Sequence, residues 1–454
     1  MSDNLQPRDK MHRNGARHNR IDVKTSYAFD DNEDDDDGEG VDGLSLKEWM
    51  SKEGQMFVAR FVRSFGKAAA VYTGVRTFTA FMKNPFRKGI PAVWQGVMSK
   101  DCLRFAAFLG LYPSLYHLAV SLLRRYRKRK DGWNYGLAGG IAGLSMALEA
   151  PSRQKTLAFF VAARALGAGA TTLVARDLVT SIPHAETVAF CTCCAVLVTC
   201  VSLYPKLLPA GYYHSVVKWS RDYSDPIMTE LFRIPGERFL TCQEIGMHEG
   251  TCTEHALDDL LHSLPSFAKL YLPIHLAPVL LFKRQMIRNR PRYVLASLAK
   301  NLTYSTLFLA TMVFIAKYVI CLLRNATGKP PPLPVYIPAV AGFLCGFSVL
   351  WERVSRRKEL VLFLIPQMFN ATLVLVKKSR WGRDVRVPQG YVLLFAVAMG
   401  VVMHAYEREP PSLTMLMTGV LRFFVGDRRE KGGERGNGKG REGERKRVRF
   451  DSEG

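Results

Sequence analysis

Cys242, His248 and Cys252 stand close together in a polar stretch of chain and carry the side chains best suited to binding a transition metal. Thiolate and imidazole are zinc donors, and a short loop can bring three of them around one ion. A fourth donor is not evident: His255 or Glu249 would have to serve, and the spacing matches no established zinc pattern. The expectation is therefore a loop without metal, and no cofactor is expected. A second group, Cys191, Cys193, Cys194 and Cys200, has aliphatic neighbours. Small polarizable side chains in that setting point to close helix packing instead of redox or iron–sulfur chemistry. The nine cysteines do not read as a disulfide framework.

Charges inside apolar segments are the second lead. Arg164 and Lys317 are the clearest, and a charge near a bilayer centre costs several kcal/mol, so it is usually kept for a pathway or a partner. The plainer reading has Lys317 reaching the interface with its charged end and Arg164 pairing with Glu149 or Glu186. Glu149 with Arg153, and Glu352 with Arg356, are spaced for ion pairs at the membrane edge if a helix continues that far. His184, after Pro183, reads as a helix-start or interface residue. The chain holds no dinucleotide or phosphate loop, no HExxH helix and no nucleophile elbow, so an enzyme is not expected.

These residues need elements to hold them. The chain has 454 residues, a net charge of +23 and 48% hydrophobic residues, an average over two kinds of sequence. Residues 1–55 and 427–454 are polar and charged and are expected to form disordered tails. Between them run hydrophobic segments at Phe65 to Met82, Leu103 to Leu123, Tyr135 to Ala150, Thr156 to Ala175 and Thr187 to Tyr204. A second series follows at Phe267 to Phe282, Leu298 to Leu323, Tyr336 to Trp351, Leu360 to Val376 and Tyr391 to Tyr406. Several approach the roughly 20 residues that cross a hydrocarbon core of about 30 Å. The fold class expected is all-α: a polytopic membrane protein of two repeated modules with 4–5 helices each, at 56–220 and 263–426, joined by a polar Cys/His-containing connector at 221–262.

The two series share residues as well as hydropathy. Gly139, Gly143, Ser145, Glu149, Ser152, Arg153 and Lys155 recur as Gly342, Gly346, Ser348, Glu352, Ser355, Arg356 and Lys358, displaced by a constant 203 positions. Leu122, Leu123 and Arg124 recur as Leu322, Leu323 and Arg324. Each glycine pair is spaced i, i+4, which makes a groove where another helix can approach; the expectation is that the glycine faces of the two modules pack together. Ser145 and Ser348 are placed to donate to a carbonyl or a neighbouring helix. Basic flanks at Arg124 to Lys130, Lys283 to Arg292, Arg356 to Lys358 and Lys377 to Arg386 do not all fall on one side in a strict zigzag. Five spans per module would make the modules inverted and four would make them parallel, and both stand.

The run from Gly139 to Lys155, the segment Ile182 to Glu186 and the connector residues Cys242, Glu244, Ile245 and Gly246 together resemble the transmembrane protein 135 family. The resemblance covers roughly residues 60 to 426, with the order of the halves changed: the glycine-rich half, similar to the membrane module of the mitochondrial inner-membrane translocase superfamily, comes first. It implies a multi-pass protein of peroxisomal or mitochondrial membranes, a non-enzymatic factor in membrane organisation or lipid handling. A transporter or translocase with a pathway between the two modules is the alternative. The partners implied are the bilayer, anionic head groups on the basic loops and tail, and a second copy or another membrane protein, with no specific nucleic acid.

Overall fold

The computed structural model describes residues 45–83, 99–129, 131–221, 223–282, 284–378 and 389–426. Residues 1–44 and 427–454 of the two polar tails, and the part of the last basic flank within 379–388, lie outside the described residues. Residues 46–55, expected to belong to the disordered N-terminal tail, instead form the first turns of a helix that begins at Leu46, with Trp49 and Glu53 buried. The chain divides into two units, 1–51 and 52–454, and the second carries the fold.

Among the described residues every regular element is helical. The first half comprises α1 (Leu46–Lys83), α2 (Lys100–Arg127), α3 (Gly132–Gly143), α4 (Pro151–Ala175), α5 (Ala185–Leu203) and α6 (Ala210–Trp219), with α7 (Asp225–Phe232) in the connector. The second comprises α8 (Cys252–Phe282), α9 (Arg284–Asn289), α10 (Pro291–Thr327), α11 (Tyr336–Gly346), α12 (Val354–Lys378), α13 (Gly390–Arg408) and α14 (Met415–Phe424). All ten hydrophobic segments fall on helices. Among the described residues six helices, α2, α4, α5, α10, α12 and α13, are long and apolar enough to cross a membrane. They expose large apolar side chains such as Leu103, Leu166, Val188, Leu322, Phe363 and Val397, surface that is stable against lipid tails and unfavourable in water. The protein is a polytopic all-α membrane protein.

The glycine helices α3 and α11 are shorter, and each runs into a 3-10 turn, Leu144–Leu148 and Phe347–Trp351. The tighter turn rises about 2.0 Å per residue against 1.5 Å in an α-helix, so each composite reaches about 27 Å, close to the hydrocarbon thickness. Both turns end in an extended glutamate, Glu149 at ψ 154 and Glu352 at ψ 150. In the first half Pro151 then opens α4 at its first turn, where a missing N–H costs nothing.

The halves interleave. Helix α3 lies between α2 of its own half and α13 of the other, and α11 lies between α10 of its own half and α5 of the other. The long helices α4 and α12 also pack on each other, α4 on α13 and α12 on α5. One core joins Tyr112, Tyr116, Ala138 and Met146 to Phe395, Val402 and Tyr406, so it is built from both ends of the chain.

Candidate functional site

Glycine is what permits the interleaving. A Cβ on Gly139 would stand 2.7 Å from Met403 Cβ, and one on Gly143 would stand 2.7 Å from Ala396 Cα, both on α13. On the other side a Cβ on Gly342 would meet Cys194 O at 2.6 Å, and one on Gly346 would meet Cys191 Cα at 2.5 Å, both on α5. The glycine faces therefore do not pack on each other, as the spacing alone suggested; each receives the last long helix of the opposite half. Two grooves set face to face would enclose a void, whereas a groove filled by a neighbour's ridge restores close packing. Cys191, Cys193, Cys194 and Cys200 are all buried on α5, and Cys191 and Cys194 supply part of that ridge. Beside them Cys345 Sγ donates to Gly342 O at 3.2 Å.

The two i, i+4 ion pairs are present, but across the helix breaks instead of along a continuous helix. Arg153 Nη2 lies 3.0 Å from Glu149 Oε1 and 3.3 Å from Asp101 Oδ1. Arg356 Nη1 lies 2.9 Å from Glu352 Oε2. Ser305 of α10 donates to Glu352 Oε1 at 2.6 Å, accepts from Arg356 at 2.9 Å and meets His275 Nε2 at 3.1 Å. Both glutamates are buried, and Glu149 Oε2 has no hydrogen-bond partner. The hydroxyls of Ser145 and Ser348, expected to donate, likewise have none.

Arg164 does not pair with Glu149 or Glu186. It is buried on α4, lies over the Phe160 ring at 3.3 Å and reaches Glu359 Oε2 of α12 at 3.8 Å. Contact between α4 and α12 makes the partner a residue of the other half, which no local spacing reveals. Lys317 of α10 does not extend to water: its Nζ donates to Asp259 Oδ2 of α8 at 2.6 Å, and Arg221 binds the other oxygen of that buried carboxylate at 3.1 Å. His184 precedes α5 in left-handed backbone, at φ 59, with no side-chain cap.

The connector holds the densest chemistry. Thr241-Cys242-Gln243-Glu244 and Thr251-Cys252-Thr253-Glu254 are two copies of one pattern, and each folds as a capping box. Glu244 Oε2 accepts from Thr241 N at 2.8 Å while Thr241 Oγ1 accepts from Glu244 N at 3.3 Å. Glu254 and Thr251 repeat this at 3.2 and 3.3 Å, at the start of α8. Each box places its cysteine on the opening turn, and Gly246 and Gly250, at φ 72 and 78, turn the chain between them. The fourth residue of the cluster is Cys321, from the last turns of α10. Its Sγ is 3.4 Å from Cys242 Sγ and 3.1 Å from Cys252 Sγ. One donor atom each from Cys242, His248, Cys252 and Cys321 lies within 4.8 Å of all the others.

Around this cluster, Arg324 donates from Nη2 to Cys242 Sγ at 2.9 Å, and Asn325 donates to Cys252 Sγ at 3.3 Å. Hydrogen bonding to Cys321 is the largest influence pulling the Cys242 thiol well below its ordinary range; burial opposes it and the Arg324 charge assists. His248 Nδ1 is buried with no hydrogen-bond partner, and the His248 ring stacks on His255 at 4.6 Å. Neither His255 nor Glu249 is the fourth member. Cys321, 69 residues from Cys252, was beyond local spacing, although the doubled Thr-Cys-x-Glu pattern marks the first two cysteines. No protein-family model, curated protein or solved structure matches the chain.

Proposed function

We propose that this protein is a non-enzymatic organising factor of peroxisomal or mitochondrial membranes, of the transmembrane protein 135 type, acting in membrane structure or lipid handling, and that its two halves derive from one duplicated module. The observation that carries the organising role is the interleaving of the halves through backbone-close glycine contacts. A transporter that works by rocking one half against the other needs each half to move as a body. Here α3 is held to α13 and α11 to α5, so rocking would separate the tightest contacts described in the molecule. The apolar outer faces of the six long helices offer a broad, rigid surface to acyl chains. Duplication is supported by the succession of a short glycine helix, a 3-10 turn, two long helices and a second 3-10 turn in each half.

A transport role is the second reading, favoured by one observation: Arg164 and Glu359 place charge between the halves, with Arg164 only 5% exposed. Imaging a tagged copy beside peroxisomal and mitochondrial markers tests the first reading, and coincidence with neither organelle overturns it. Purified protein in vesicles separates the two readings: solute or lipid flux abolished by Arg164→Met establishes the second, and the organising role predicts none.

A further inference from the structure

We infer that Cys242, His248, Cys252 and Cys321 form a structural zinc site that fastens the connector to the end of membrane helix α10. The donor set is three thiols and one imidazole, a combination that zinc takes in closed, four-coordinate structural sites. In a tetrahedron with Zn–S near 2.3 Å the sulfurs stand ~3.8 Å apart. The observed 3.4 and 3.1 Å are close to that edge and far longer than the ~2.05 Å of a disulfide. Movements of up to about 1 Å bring the four donors to the edge lengths of a tetrahedron around an ion.

Three further observations are explained by a metal, and the first is costly without one. The buried Nδ1 of His248 has no hydrogen-bond partner, which is expensive for an imidazole facing sulfur; in a metal site one ring nitrogen binds the ion and the other turns to the surroundings. Arg324, buried and donating to Cys242 Sγ, is a cation beside three thiols. When zinc binds, three thiol protons leave, and three thiolates with one divalent ion carry a net charge of −1, which Arg324 neutralises. Asn325 adds a second outer donor to Cys252 Sγ. The two capping boxes hold Cys242 and Cys252 in register before any ion arrives. A small hollow lined by Met247, His255, Phe314 and Tyr318 opens against His248, Cys252 and Cys321 and gives an ion a way in.

The four donors come from a loop, the first residue of α8 and the last turns of α10. Their union sets where the connector meets the membrane and where the second half begins.

The test is the metal content of the full chain, expressed in zinc-replete medium and purified in detergent without chelator. Elemental analysis is expected to give about one zinc per chain, and X-ray absorption at the zinc edge about three sulfur neighbours near 2.3 Å and one nitrogen near 2.0 Å. Replacing zinc by cobalt is expected to produce a sulfur-to-cobalt charge-transfer band. Cys321→Ser is expected to bring zinc well below stoichiometric while Cys193→Ser, outside the cluster, leaves it unchanged. Folded wild-type protein with substoichiometric zinc overturns the assignment, and so does a Cys242–Cys321 or Cys252–Cys321 disulfide in peptides mapped without reductant. Because these measurements use the wild-type chain, they decide the matter even if Cys321→Ser does not fold.

Discussion

The ends of α2 and α10 occupy matching places in the two halves and are held in different ways. Near the end of α2, Ser121 donates to Glu53 of α1 at 2.9 Å, and Arg127 binds Asp131 at 2.8 Å within a short polar turn. Near the end of α10 the residue in the place of Ser121 is Cys321, and that of Arg124 is Arg324, both directed into the thiol cluster. The first end is followed directly by its glycine helix and needs only a turn. The second also meets the connector, which buries Tyr223, Met228, Leu231 and Phe232 in an apolar core and adds the thiol cluster to that packing. Two helices that each lead into a glycine helix are thus held near their ends by different chemistry, a hydroxyl and an ion pair at one and thiols at the other.

If the halves are equivalent where they interlock, the largest and most symmetrical damage comes from filling the grooves. Gly143→Val and Gly346→Val each place a branched side chain against backbone, and each is expected to cost about 3 kcal/mol or more and to abolish the monodisperse peak in detergent size exclusion. Tolerance of one but not the other would break the equivalence. The glutamates at the helix breaks should divide the halves more moderately. Arg153 keeps Asp101 after Glu149→Gln, whereas Arg356 has only Glu352 among the described carboxylates. Glu352→Gln is therefore expected to cost about 2 kcal/mol and Glu149→Gln about 1 kcal/mol, read from thermal melts. Equal losses would remove that asymmetry.

The smallest effect belongs to the connector, which has no counterpart in the first half. Asp225 accepts from Tyr213 and lies 2.9 Å from Arg233, and these two partners, the tyrosine hydroxyl first, hold its carboxyl below the usual carboxylate range. A carboxyl whose folded value is depressed contributes stability that is full above the ordinary value of about 3.9 and is lost as pH falls through the lower folded value. Protection from hydrogen exchange in the α7 segment, relative to the intrinsic rate at each pH, is expected to fall as pH drops below about 4. Asp225→Asn should flatten that dependence, and an unchanged profile in the variant would assign the acid response to another group. Asp225 is largely exposed, so solvent screening keeps the effect small.

What could be read from the sequence follows from the range of the physics involved. Hydropathy is local, so Leu103 to Leu123 and Tyr391 to Tyr406 announce their helices without knowledge of neighbours. The i, i+4 glycines reveal a groove, but not that α13 or α5 fills it, because the filling residues lie far along the chain. The same limit hid Glu359 from Arg164, Asp259 from Lys317 and Cys321 from Cys252. Pro151 marks the break after Ala150, while the 3-10 turns before Glu149 and Glu352 carry no comparable signal.

The exchange of partners between halves also dictates an order of events during synthesis. When the ribosome has delivered α3, the residues that will occupy its groove, Ala396, Met399 and Met403, have yet to be made. Nearly the whole polypeptide must enter the bilayer before the earliest groove closes, so a nascent chain stopped near residue 220 exposes unfilled backbone to lipid and to other insertion intermediates. Maturation of this protein therefore depends on its C-terminal third arriving intact.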